Sequence, residues 1–120
     1  IEVVFTPGHS PDSLILIDKN NRLMLTGDSF YPAPLYVYSA TSSFRDFANS
    51  VQTMQKYQSD VDFLLPGHNE TMQPSTYLAK LYAATLAVQD NRTPSTIGDN
   101  GNHTYQFDGF SLIVKKPLSY

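Results

Sequence analysis

The apolar residues of this chain come in short runs that stop abruptly at glycine. Ile1-Glu2-Val3-Val4-Phe5 halts at Thr6-Pro7-Gly8, Leu23-Met24-Leu25-Thr26 at Gly27, and the run over 61–65 at Pro66-Gly67. Short apolar runs bounded by turn residues are the mark of buried strands rather than of long helices. The longest of them, Leu14-Ile15-Leu16-Ile17, falls far short of the roughly 20 residues a membrane helix requires. No membrane partner is expected.

Length sets the next bound. At 120 residues the chain has room for one domain and no more. Its 8 basic and 11 acidic residues leave a formal charge of −3, and the only adjacent basic pair is Lys115-Lys116. A nucleic-acid surface needs a basic stripe, so DNA and RNA are excluded as main partners. Cysteine is absent, which removes disulfides, thiolate catalysis and cysteine-ligated metal sites. The chain opens at Ile1 without an initiator methionine or a signal-peptide pattern. It starts inside a strand, and the expectation is a fragment of a larger fold.

Along the chain, 1–5, 13–18 and 23–26 read as strands, the last two forming a hairpin across the polar turn at 18–21. A Tyr/Pro-rich loop follows from Ser29 to about Ala40. Ser42 or Ser43 can cap a helix whose apolar stripe is Phe44, Phe47, Ala48, Val51 and Met54. After a buried strand over 61–65, Pro74 suits the first turn of a second helix striped by Leu78, Leu81, Tyr82, Thr85 and Val88. Asp108-Gly109 then joins two strand-like runs, 104–107 and 110–115, as a hairpin. The expected fold class is mixed α/β, in the order β-ββ-α-β-α-ββ.

Three of the strands end on one design: Gly8-His9, Gly27-Asp28 and Gly67-His68. Glycine at a strand end allows a tight turn and close approach of the next residue to a ligand, and loops on a rigid scaffold are free to carry chemistry. Two imidazoles and a carboxylate are donors suited to zinc, with iron or manganese as alternatives. The competing reading is ordinary turn chemistry at each position. Residue pattern alone leaves both open.

Thr6-Pro7-Gly8-His9-Ser10-Pro11-Asp12-Ser13, Leu25-Thr26-Gly27-Asp28-Ser29-Phe30 and Leu64-Leu65-Pro66-Gly67-His68-Asn69 resemble the C-terminal half of the metallo-β-lactamase superfamily. Order and context match, with spacings of 19 residues from His9 to Asp28 and 40 from Asp28 to His68. The resemblance covers essentially residues 1–120. It implies the C-terminal half of an αββα sandwich, with two zinc ions in the complete fold. His9 would bind the first metal and His68 the second. Asp28 would bridge both and place the hydrolytic water, a catalytic role. The family's His-x-His-x-Asp-His motif is missing, so this chain would carry three of the ligands, bind metal weakly and be inactive alone.

The expected function is therefore a fragment of a dinuclear metal-dependent hydrolase acting on an ester or thioester. The alternative is a non-catalytic interaction or structural module that keeps the fold. Tyr31 and Tyr36 would line the substrate cleft or pack the loop. Asn69 would touch substrate, orient His68 or serve the turn. Asp12 reads as a turn cap, Glu70 as a solvated carboxylate, and His103 as an exposed loop residue. Leu14, Leu16, Leu23, Leu25, Phe63 and Leu65 form a sheet face whose expected partner is the missing N-terminal half or a second copy of the chain, by dimerisation or swapping. The chain is expected to be soluble and, slightly in preference to secreted, cytoplasmic. Its three Asn-x-Thr acceptor patterns, at Asn69, Asn91 and Asn102, are weak signals the other way.

Overall fold

The computed structural model describes residues 1–67, 72–98 and 101–115. Strands β1 (Glu2–Phe5), β2 (Leu14–Asp18) and β3 (Leu23–Gly27) lead to a short β4 (Pro34–Val37) and to helix α1 (Phe44–Lys56). A 3₁₀ turn, Gln58–Asp60, precedes β5 (Phe63–Pro66) and the two-residue β6 (Gln73–Pro74). Helix α2 (Tyr77–Gln89) is followed by β7 (Thr96–Ile97), β8 (His103–Phe107) and β9 (Phe110–Val114).

Two mixed sheets result among the described residues. The first has the order β1-β2-β3-β5-β6, with β3 and β5 parallel and the other pairs antiparallel. The second has the order β4-β9-β8-β7, with β4 parallel to β9. The expected α/β class holds, with three more strands than the sequence reading assigned. β4 lies in the stretch expected to be loop. Its side chains alternate, with Leu35 and Val37 buried and Pro34 and Tyr36 exposed, which is the period-two signature of a half-buried strand. Proline there is tolerated because β4 is an edge strand.

Pro74 is a second departure. It sits in β6, at the open edge of the first sheet, and α2 begins three residues later at Tyr77. Proline's fixed φ suits a strand edge as well as a helix first turn, so the residue type alone does not choose. His103 is a third. It opens β8 as a half-buried residue instead of lying in a loop, and its Nδ1 shares a 2.8 Å hydrogen bond with Ser95 Oγ.

Helix α1 forms where the sequence places it. The Ser43 side chain accepts from the Asp46 amide, and Asp46 and Lys56 complement the helix dipole at its two ends. Its stripe of Phe44, Phe47, Ala48, Val51 and Met54 is buried in one core with Leu78, Leu81, Ala84 and Val88 of α2. Ile15, Ile17, Met24 and Leu64 of the first sheet join that core, as do Leu35, Tyr105, Leu112 and Val114 of the second. Burying each Leu, Ile, Val, Phe or Met side chain of this core contributes about 1.5–3 kcal/mol.

The pleat sends the alternate residues of the first sheet to its opposite face. There Val3, Leu16, Leu25 and Leu65 align across four strands, flanked by the pairs Phe5–Leu14 and Leu23–Phe63. Val3, Phe5, Leu14, Leu25 and Phe63 are exposed, Phe5 by 70%. A contiguous apolar face of this kind is unusual on a protein that works alone. No helix among the described residues is long and apolar enough to cross a membrane.

Candidate metal centre

The ends of β1, β3 and β5 converge at one edge of the first sheet, and hydrogen bonds tie their turns together. The hydroxyls of Thr6 and Ser29, both buried, share a 2.7 Å hydrogen bond that joins the turn after β1 to the turn after β3. The Gly67 amide donates to the Gly27 carbonyl at 3.1 Å, joining the turn after β5 to the same place. A Cβ on Gly67 would stand 3.2 Å from the Gly27 carbonyl carbon and oxygen, so the contact favours glycine. Thr26 Oγ1 donates to the Phe30 carbonyl at 2.8 Å and closes the loop beyond Asp28.

Two of the three expected ligands meet on this platform. His9 Nε2 lies 3.9 Å from Asp28 Oδ2, with 28% and 48% of the side chains exposed. His9 Nδ1 is 2.7 Å from the Tyr36 carbonyl oxygen. A carbonyl only accepts, so Nδ1 carries the proton and Nε2 of the neutral ring keeps its lone pair on the side of Asp28. This is the arrangement that fixes a metal-binding histidine through its other nitrogen. A bare imidazole nitrogen and a half-exposed carboxylate, too far apart for a hydrogen bond, suit a divalent cation with donor distances of about 2.0–2.2 Å. Among the described residues no group of three or more metal-capable side chains gathers. His68 and Asn69, together with Glu70, lie outside the described residues.

The tyrosines split. Tyr31 is only 6% exposed and belongs to the core. Burial, reinforced by nearby Tyr36, Asp28 and Tyr38, pushes its phenol from 10.0 up to about 12. It stays neutral beside Asp28 at any ordinary pH. Tyr36 is exposed, and its ring meets Tyr38 edge-on at 5.6 Å. Sequence reasoning missed that the Tyr36 backbone, rather than its ring, is what touches His9. Only the alternation of Pro34–Val37 hinted that a strand would bring that carbonyl there. Asp12 accepts a hydrogen bond from Ser10 Oγ at 2.8 Å, which fits a turn cap.

No family model matches the sequence, and no curated protein does. Solved structures do resemble the fold. The stereoselective inverting sec-alkylsulfatase Pisa1 from Pseudomonas sp. superposes with a TM-score of 0.65 at 17% identity, over 74% of this chain and 16% of its own. A metallo-beta-lactamase family protein from Thermus thermophilus gives 0.61 at 19% identity, over 75% of this chain and 31% of its own. The metallo-beta-lactamase from Pontibacter korlensis gives 0.58 at 16% identity, over 71% and 40%. This chain thus spans well under half the length of these solved proteins. Over the portion matched, the chain carries the fold of the metallo-beta-lactamases.

Proposed function

We propose that this chain is the metal-bearing C-terminal half of a metal-dependent hydrolase domain acting on an ester or thioester. The observation that carries the reading is the His9–Asp28 pair, set at a strand-end edge with the other ring nitrogen of His9 already committed to Tyr36. His9 Nε2, Asp28 and His68 would hold the metal, zinc being the ion that such nitrogen and carboxylate donors suit best. Two ions bound there would supply a hydroxide near neutral pH and polarise the scissile carbonyl.

The chain's own residues do the rest. Tyr36 orients His9 through its carbonyl. Asp28, half-exposed, would position the hydrolytic water. Tyr31, neutral and close to Asp28, would form the floor of the cleft, and Tyr36 its wall. Asn69 would sit beside His68 and touch the substrate. The exposed apolar face of β1, β2, β3 and β5 would be covered by the remaining half of the sandwich, which would also bring the other ligands.

The lack of a His-x-His-x-Asp-His run within residues 1–120 favours one alternative, a non-catalytic module that retains the fold. The coding sequence upstream of Ile1 separates the two readings. A His-x-His-x-Asp-His run there supports the hydrolase, and an open frame without it supports the module. Ester, thioester and lactam hydrolysis should then be assayed on the longer protein. Loss of turnover by about 100-fold or more in Asp28→Asn is the expected result. Unchanged turnover in that variant would sink the assignment.

A further inference from the structure

Three consecutive carbonyls of the turn that carries His9 are each taken up by α1 and the two residues before it. Ser50 Oγ donates to the Pro7 carbonyl at 2.7 Å. The Ser43 amide donates to the Gly8 carbonyl at 2.8 Å. Ser42 Oγ donates to the His9 carbonyl at 2.7 Å. The turn lies so close to the helix that a Cβ on Gly8, where φ is +147°, would stand 2.4 Å from Phe47 Cα.

These bonds exceed what the helix needs for itself. Ser43 Oγ already caps it through the Asp46 amide. Ser42 precedes the helix and turns its hydroxyl onto His9. Ser50, in the second turn, points its hydroxyl off the helix and onto Pro7. The His9 backbone is therefore held from the α1 side while its ring is held from β4.

We propose that Ser42 and Ser50 are positioning residues for His9. Their hydroxyls lock the turn to α1 so that the ring stays on the Tyr36 carbonyl and presents a bare Nε2 to Asp28. The purpose of this rests on reading His9 as a metal ligand, but the geometry itself is measurable without metal. If the two hydroxyls only stabilised the fold, removing them would lower the melting temperature and leave the ring proton where it is.

Long-range ¹H–¹⁵N correlation spectra of the histidine rings at alkaline pH report which nitrogen carries the proton, because the partner of one nitrogen sets the tautomer. In the unaltered chain His9 should be mainly Nδ1–H. Ser42→Ala should lower its ratio of Nδ1–H to Nε2–H, by up to about fivefold, the full worth of one hydrogen bond. Ser42→Thr should restore it, and Ser50→Ala should shift it the same way. Ser95→Ala, which removes the partner of His103, should leave His9 unchanged. A His9 that is mainly Nε2–H in the unaltered chain overturns the proposal. So does Ser50→Ala or Ser42→Ala that keeps the tautomer, whether or not it melts lower. Added zinc then separates the two claims. A zinc response at His9 Nε2 supports the ligand reading; a fixed tautomer with no response overturns that reading while the positioning stands.

Discussion

His9 Nε2 and Asp28 Oδ2 stand 3.9 Å apart, while the other nitrogen of the same ring is engaged 2.7 Å away by the Tyr36 carbonyl. One contact leaves room between two donors and the other decides which nitrogen is bare. The first side chain comes from the turn after β1, the second from the turn after β3 and the carbonyl from β4. The pair therefore depends on the edge of the first sheet and on a strand of the second.

Gly8 is the narrowest point of that edge. Gly8→Ala places a methyl group 2.4 Å from the α1 backbone at a φ of +147°, a combination of overpacking and backbone strain costing roughly 2–4 kcal/mol. Urea unfolding should show that loss, and the Gly8–His9 amide resonances should move furthest. A variant as stable as the unaltered chain would mean that the turn is not held against α1.

Tyr31 gives a pH dependence with a definite sign. Its phenol is raised in the folded chain from 10.0 to about 12, chiefly by burial. The unfolded chain therefore ionises first, and the contribution of Tyr31 is whole below pH 10.0 and fades as pH climbs to about 12. Denaturation midpoints taken on either side of that window should fall more in the unaltered chain than in Tyr31→Phe. Equal falls in both would show that Tyr31 is not buried as described.

The exposed face of the first sheet should be sticky in the isolated chain. Phe5→Lys with Leu25→Lys puts two charges among Val3, Leu14, Leu16 and Phe63 without touching the buried face. Fluorescence of a hydrophobic dye should drop severalfold, self-association seen in sedimentation should weaken, and the melting temperature should stay close to its original value. Dye binding that survives both charges would place the sticky surface elsewhere.

Much of this was legible in the sequence, for identifiable reasons. The apolar runs ending in glycine marked β1, β3 and β5, the run Leu14–Ile17 marked β2, the stripe from Phe44 to Met54 marked α1, and Asp108-Gly109 marked the β8–β9 hairpin. β4 was hidden because Pro34 and the surrounding tyrosines read as loop, and its pairing with β9 is a long-range contact that no local pattern encodes. Pro74 misled because its backbone preference is shared by strand edges and helix starts. At the candidate site, His9 and Asp28 stood out as metal-capable residues after glycine, and the family resemblance is what singled them out as ligands. The groups that orient His9 did not stand out, because a Tyr36 carbonyl and two serine hydroxyls carry no distinguishing chemistry until the fold brings them together.

The proposed metal-holding edge is made of the three glycine turns. It is tested most directly by titrating zinc into the isotopically labelled chain and following backbone and histidine-ring resonances. Shifts should concentrate at Gly8-His9, Gly27-Asp28 and Gly67-His68, with affinity weaker than about micromolar because three ligands would be shared between two ions. Shifts centred on His103, or no movement at those turns with zinc in large excess, would contradict it.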